Sequence, residues 1–370
     1  MFYCYPENMV NPLPARARKG RGAVSNASGR FEAQSTLAVD DGWQQIEDDL
    51  PPLHTMITIE RPKSVITRNQ SPDVPFDRSL NPYRGCEHGC VYCFARPTHA
   101  YQGLSPGLDF ETQLFAKPDA AAILARQLRQ PGYVPATLAM GTNTDPYQPI
   151  EREQRITRDV LQVLSAFNHP VAIVTKSNLI LRDLDILVDL ATRNLVSVAL
   201  SVTTLDRTLA RRMEPRAPTP SRRLQAVSEL AHAGVPVSVM VAPIVPAIND
   251  HEIEDILAAA ANAGAEAADY ILLRLPLEVK DLFAEWLDTH YPDRAKKALA
   301  QMAAHRDGQL YHPQWGQRMR GQGDVAKLLA KRFALACRRL GLNQQSARTY
   351  KHRTDMFSPP PQIGDQLALF

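Results

Sequence analysis

Asn81-Pro-Tyr-Arg-Gly-Cys86-Glu-His-Gly-Cys90-Val-Tyr-Cys93-Phe-Ala-Arg96 places three of the five cysteines of this 370-residue chain in one short loop. Thiolates bind soft or borderline metals, and this close spacing lets a single loop wrap one ion or cluster without help from distant parts of the fold. The loop supplies three ligands and lacks a fourth. A structural zinc site is normally closed by four protein ligands, so zinc would need His88 or His99 to complete the set; an iron–sulfur cluster held by three cysteines keeps one iron open. A disulfide framework does not fit. Five cysteines are few for this length, the N-terminus shows no apolar signal segment, and no stretch is long enough to span a membrane, which points to a reducing cytoplasm. Cys4 and Cys337 read as plain thiols, Cys337 within an apolar helical pattern.

Beyond the loop a strand–helix rhythm begins. Residues 136–140, 171–174, 196–202, 237–241 and 270–273 are short apolar runs rich in branched residues, as expected for strands covered on both faces. Between them, 157–167, 179–193, 221–233 and 252–263 repeat apolar positions three and four apart, with Gly234 and Gly264 placed as C-terminal caps. Such alternation implies parallel pairing with right-handed crossovers, and the strand leading into Cys86 brings the count to six. Residues 56–80 read as an extended approach to that first strand, 110–115 as a further extended segment, and 120–128 as a helix stopped by Pro131-Gly132. With 44% hydrophobic and 22% charged residues, the chain can bury one large core plus appendages. A net charge of +3 is too small to prove a nucleic-acid partner, so the placement of basic residues matters more than their sum.

Cys86-x3-Cys90-x2-Cys93 followed by Phe94 resembles the signature of the radical S-adenosylmethionine (SAM) enzymes, and the wider Asn-Pro-Tyr-Arg-Gly-Cys to Cys-Phe-Ala-Arg context resembles the branch containing spore photoproduct lyase. The resemblance covers roughly residues 78 to 275 and implies a partial (β/α)6 TIM-like barrel, α/β in class, with chemistry at the C-terminal strand ends. It implies that Cys86, Cys90 and Cys93 hold a [4Fe-4S] cluster, that the open iron takes the amino and carboxylate groups of SAM, and that Tyr92 packs near the adenine. An external one-electron donor, such as flavodoxin or ferredoxin, would reduce the cluster. SAM would then be cleaved to methionine and a 5′-deoxyadenosyl radical that abstracts hydrogen from a substrate.

The other strand ends supply candidates in turn. Thr142, Asn143, Thr144 and Asp145 offer acceptors for the SAM ammonium, although Asp145 before Pro146 also suits a turn or helix cap. Lys176 would pair with the SAM carboxylate or face solvent. Ser201 and its neighbours Thr203 and Thr204 would reach the ribose or be satisfied internally. Glu214 and Arg216, in a proline-stiffened loop, would pair with each other or contact SAM and substrate. Asn249 or Asp250 reads as an N-cap, and Arg274 is placed for an anionic substrate group. Spore photoproduct lyases carry a hydrogen-donating cysteine beside the step after strand two. Here Gly141 to Asp145 has none, which leaves Tyr147 or Tyr101 as the replacement candidates.

The flanks divide the chain further. Residues 1–55 read as a largely disordered basic arm, 56–275 as the barrel, 276–345 as a helical extension and 346–370 as a flexible tail. Trp315, Arg318 and Arg320, together with a basic helix carrying Lys327, Lys331, Arg332, Arg338 and Arg339, would serve DNA or another nucleic acid or simply be solvated. The terminal peptide Gln366-Leu367-Ala-Leu369-Phe370 resembles the pentapeptide by which bacterial replication and repair proteins bind the sliding clamp. A different class of reading remains: a non-catalytic metal module that binds nucleic acid or the clamp.

Overall fold

A computed structural model describes residues 16–32, 53–344 and 352–361. Its strands are β1 (Met56–Ile59), β2 (Ile66–Arg68), β3 (Arg78–Leu80), β4 (Tyr83–Arg84), β5 (Gln113–Ala116), β6 (Leu138–Met140), β7 (Val171–Thr175), β8 (Val196–Ser201), β9 (Val237–Ile244) and β10 (Ala267–Leu272). The main sheet has the order β10-β9-β8-β7-β6-β3-β2 and does not close on itself. Six of its strands, β3 and β6 to β10, are parallel neighbours in chain order, as the alternating pattern predicts. The edge strand β2 adds itself antiparallel to β3, a hairpin the sequence reading did not anticipate. The extended approach splits: β1 joins β5 and β4 in a separate three-stranded sheet beside the cysteine loop.

The inward runs Val171–Thr175, Val196–Ser201 and Val237–Ile244 are buried along most of their length because helices cover the outside and side chains fill the inside. The predicted helices are present at Ala120–Leu128, Ile156–Ala166, Pro220–His232 and Ile253–Asn262, while the third begins as a 3-10 turn, Asn178–Asp183, before Leu184–Thr192. The segment expected to be extended at 110–115 is instead a helical turn, Asp109–Thr112, running into β5. The helical extension comprises Val279–His290, Pro292–Ala304 and Gly323–Arg339. The last packs Phe333 against Tyr270, with ring centroids 4.7 Å apart, and buries Cys337 as expected.

Two flanking segments are more ordered than a solvated arm and a tether. Arg21, Gly22, Ala23 and Val24 are buried, so Arg21 is no free phosphate contact. At the other end, Phe357 packs on Phe167, Tyr133 and His169, and the backbone of Arg353 and Ser358 bonds to Asn194 and Phe167 at the N-terminal ends of the strands. Cys4 and the clamp-like residues Gln366, Leu367, Leu369 and Phe370 lie outside the described residues.

Candidate active site

Because the six strands are parallel, their C-terminal ends open on one mouth, and the cysteine loop, leaving β3 and the short β4, sits there. Backbone bonds shape the loop: Cys86 N donates to Phe110 O at 2.9 Å, Gly89 N to Cys86 O at 3.2 Å and Cys93 N to Cys90 O at 3.2 Å. Gly85 and Gly89 take positive φ, which those turns require. Arg96 then gathers the carbonyls: its guanidinium donates to Cys90 O, Gly89 O, Pro106 O and Gly107 O and to the carboxylate of Glu111.

Cys93 links the surroundings of the other two thiols. Cys93 packs on both Cys86 and Cys90 groups of the core, and none is in a disulfide. Burial pushes the Cys86 thiol up, with Asp145, Cys90 and Cys93 adding to it, and burial pushes Cys90 up to about 12 against the pull of Lys176 and Arg223. Metal loading therefore has to displace protons. Among the described residues no three His, Cys, Asp or Glu side chains converge tightly enough for a single ion. Of the two histidines that could complete a zinc set, His99 Nε2 is taken by Gln113 O at 2.8 Å, and His88 Nδ1 lies 3.3 Å from Asp145 Oδ2. A four-iron cluster bonds each cysteine to a different iron, so a wider set of three thiols with no fourth ligand fits it.

Behind the thiols is a buried polar network. Glu214 accepts from Tyr92 Oη, from Thr203 Oγ1 at 2.6 Å and from Arg223, which also donates to Ser201 O at 3.0 Å. Burial opposes its charge, yet Arg223 and Lys176 hold its carboxyl down at about 2. Glu214 is thus committed to the protein, and its partner is Arg223 rather than Arg216. Arg216 lies 3.2 Å from Glu87 of the cysteine loop. Tyr92 sits between this network and Lys176, whose Nζ is 5.8 Å from the ring centroid. Burial alone would lower the Lys176 pKa, but Cys90 and Glu214 raise it, so the ammonium persists; it has no hydrogen-bond partner among the described residues.

The loop after β6 is tied into the protein residue by residue. Asp145 accepts from Tyr147 N, Thr175 Oγ1 and Lys176 N at 2.9, 2.7 and 2.8 Å, and lies against His88; burial opposes the charge but these contacts hold it at about 2. Its acceptors are spent on the turn and on β7. Thr144 donates to Gly85 O at 2.7 Å, and Thr142 bonds Asn81. Only the Asn143 side chain in this group has no such tie among the described residues. Gly141 is required at φ +88°, where a Cβ would stand 1.9 Å from Val174 O.

Other expectations change too. Thr203 and Thr204 serve the buried carboxylates Glu214 and Glu252. Asn249 stands at the N-cap position of the 3-10 turn Asp250–Glu252, but its side chain is used elsewhere: it accepts from Val245 N and donates to Thr203 O and Pro243 O. Tyr147 is 0% exposed inside the main core, where burial and the charge of Asp183 raise its pKa, so it does not face the mouth. Tyr101 is 70% exposed and stacks on Phe31, 5.2 Å between centroids, away from the thiols. Arg318 is bound to Asp73 and Ser71, and Arg320 to Asp269. Arg274 lies 4.3 Å over the Phe94 ring.

The family model described as the radical SAM superfamily matches residues 80–260, spanning this loop and the parallel strands β6 to β9. The chain belongs to the radical SAM superfamily. An uncharacterised protein of Mycobacterium tuberculosis is 37% identical over 260 residues, 70% of this chain and 75% of that one. An uncharacterised protein of Methanocaldococcus jannaschii is 25% identical over 173 residues, 47% of this chain and 62% of that one. Among solved structures, spore photoproduct lyase complexed with dinucleoside spore photoproduct superposes with a TM-score of 0.55 at 15% identity, over 77% of this chain and 80% of that one. A lyase variant with bound AdoMet gives 0.56 at the same coverage. These likenesses establish the fold. As a radical SAM protein the chain is an enzyme using a [4Fe-4S] cluster and SAM, which requires an electron donor. Among the described residues no helix is long and apolar enough to cross a membrane.

The sequence reading missed Arg96, Asn81, Glu111 and Arg223 as organisers of the site. Arg96 and Asn81 stand inside the quoted motif, so proximity to the cysteines was a usable signal. Glu111 and Arg223 lie outside that motif and had none.

Proposed function

We propose that this enzyme initiates radical chemistry on a nucleic-acid substrate, a DNA lesion being the first to test. The single observation behind the catalytic part is a three-thiol loop at the mouth with an unpaired ammonium, Lys176, directly across Tyr92. When bound, the cluster and SAM supply reductive cleavage of the C5′–S bond, which yields methionine and a radical that takes hydrogen from substrate. In this reading Cys86, Cys90 and Cys93 hold the cluster. Lys176 pairs with the SAM carboxylate, Asn143 accepts from its ammonium, and Ser201 faces its ribose. Tyr92 walls the adenine side, held in place by Glu214. Thr142, Thr144 and Asp145 act one step back, by holding the loop that presents Asn143. The fold shared with spore photoproduct lyase supports nucleic acid as substrate class, whereas the missing cysteine after β6 argues for a different outcome of the reaction.

Anaerobic reconstitution is expected to give about four irons and four sulfides per chain and, after one-electron reduction, 5′-deoxyadenosine from SAM. Tightly bound zinc with no 5′-deoxyadenosine would sink the proposal in favour of a non-catalytic metal module. The substrate part is tested by deuterium transfer from labelled, damaged DNA into 5′-deoxyadenosine. A sliding clamp as partner through Gln366, Leu367, Leu369 and Phe370 rests on the peptide alone; loss of clamp pull-down on deleting residues 366–370 is the expected result.

A further inference from the structure

The mouth holds two arginines that the cofactor reading does not use. Arg274 follows β10, one residue past Leu273, and its guanidinium carbon stands 4.3 Å over the ring of Phe94, next to Cys93. Arg306, after the helix Pro292–Ala304, is only 2% exposed and donates through Nη2 to Leu273 O at 2.5 Å. Its Nε is buried without a hydrogen-bond partner. Among the described residues neither guanidinium meets a carboxylate within ion-pair distance, because the neighbouring Asp73 is committed to Arg318. Burial lowers the proton affinity of both, with the charge of Arg318 adding to it at Arg274 and that of Arg274 adding to it at Arg306.

Buried cations are normally paired, and an arginine buried with a donor unmet is costly unless a ligand completes it. Arg306 reaches the carbonyl of Leu273, the residue before Arg274, so the two cations serve the same strand end, and guanidiniums are well suited to phosphate oxyanions. Phe94, under Arg274, is 45% exposed, a flat surface suited to stacking on a base.

We propose that Arg274 and Arg306 form a phosphate-binding subsite for a nucleotide-type substrate, placed next to Phe94 so that the substrate is anchored beside the cysteine pocket. This deepens the reading above and rests on the mouth being the substrate side. It also relocates the phosphate contact: Arg318 and Arg320, tied to Asp73 and Asp269, brace the rim instead.

The test is calorimetric titration of the full chain, without reductant, with a phosphodiester-linked dinucleotide and with its uncharged methylphosphonate analogue. Wild type is expected to prefer the charged ligand by about tenfold, the scale of one charge-assisted contact. Arg274→Gln should erase that preference, and Arg306→Gln should do the same if its melting curve shows it folded. Because the Arg274 guanidinium makes no hydrogen bond among the described residues, its variant serves as the fold-safe arm. Equal affinity of wild type for the two ligands would overturn the proposal, as would a preference that survives Arg274→Gln. So would loss of SAM binding in Arg274→Gln, which would assign the arginine to the cofactor carboxylate. Since no turnover is read, a failure of SAM cleavage would leave this result standing.

Discussion

Arg96 and Glu111, both fully buried, pair beneath the cysteine loop, and between them they hold four carbonyls of residues 89–107 and the backbone N–H groups of Gly22 and Ala23. One carboxylate thereby ties an N-terminal segment to the loop that carries Cys86, Cys90 and Cys93. Removing one member of such a pair leaves a charge buried without compensation.

Glu111→Gln is therefore expected to destabilise the fold by about 3–5 kcal/mol, read from the shift of a urea unfolding midpoint. It should also expose residues 16–24 to limited proteolysis, because Gly22 N and Ala23 N each bond a different oxygen of Glu111, at 2.9 and 2.8 Å, and one of them would meet an NH2 donor instead. Unchanged stability and protection would show that the pair does not organise the loop.

Gly22→Ala probes the same junction sterically. A Cβ there would stand 1.8 Å from Gly89 O, a backbone atom that cannot give way without moving the cysteine loop. Lower cluster occupancy after reconstitution, measured as iron per chain, is the expected outcome; Gly20→Ala, where nothing lies within 4 Å, should load normally or nearly so apart from its own backbone strain.

The cysteines should separate cleanly by absorbance. Cys86→Ala, Cys90→Ala and Cys93→Ala are each expected to abolish the broad visible band of the reconstituted protein and all 5′-deoxyadenosine. Cys337→Ala should keep both, since Cys337 fills the core under the helix Gly323–Arg339, at a cost of roughly 1 kcal/mol.

Glu214 sets a pH window. Its folded pKa, about 2, lies below the ordinary value of 4.5 because Arg223 and Lys176 outweigh its burial. The stabilisation is therefore complete above 4.5 and declines as pH falls from there through about 2. Unfolding midpoints should drop over that range in wild type. Glu214→Gln should be less stable by about 3–5 kcal/mol at neutral pH and show a shallower acid slope, the rest coming from Asp145, also about 2, and from other carboxylates held below their ordinary range, such as Asp73 and Asp77. An identical acid slope in the variant would refute the assignment.

Much of this was legible before any coordinates. Apolar runs such as Val196–Ser201 read as buried parallel strands because both faces are covered, and the resulting order of six was correct. The β2 hairpin and the small sheet were not, since Met56–Ile59 is exposed and short and its partner β5 lies far along the chain. At the site, residue type identified strand-end polar groups but not their duties. Asp145, Thr144 and Glu214 look like ligands for a cofactor until their acceptors and donors are seen to be used by Thr175, Gly85, Tyr92 and Arg223.

By itself the sequence determined the three-thiol loop and the helix–strand period, because thiolate chemistry depends on local spacing and periodicity on local burial. Only the tertiary structure decided which charges are already neutralised. Ion pairing depends on distances between residues far apart in the chain, which spacing does not encode, and it is that pairing which leaves Lys176, Arg274 and Arg306 as the cations still open to a ligand at the mouth.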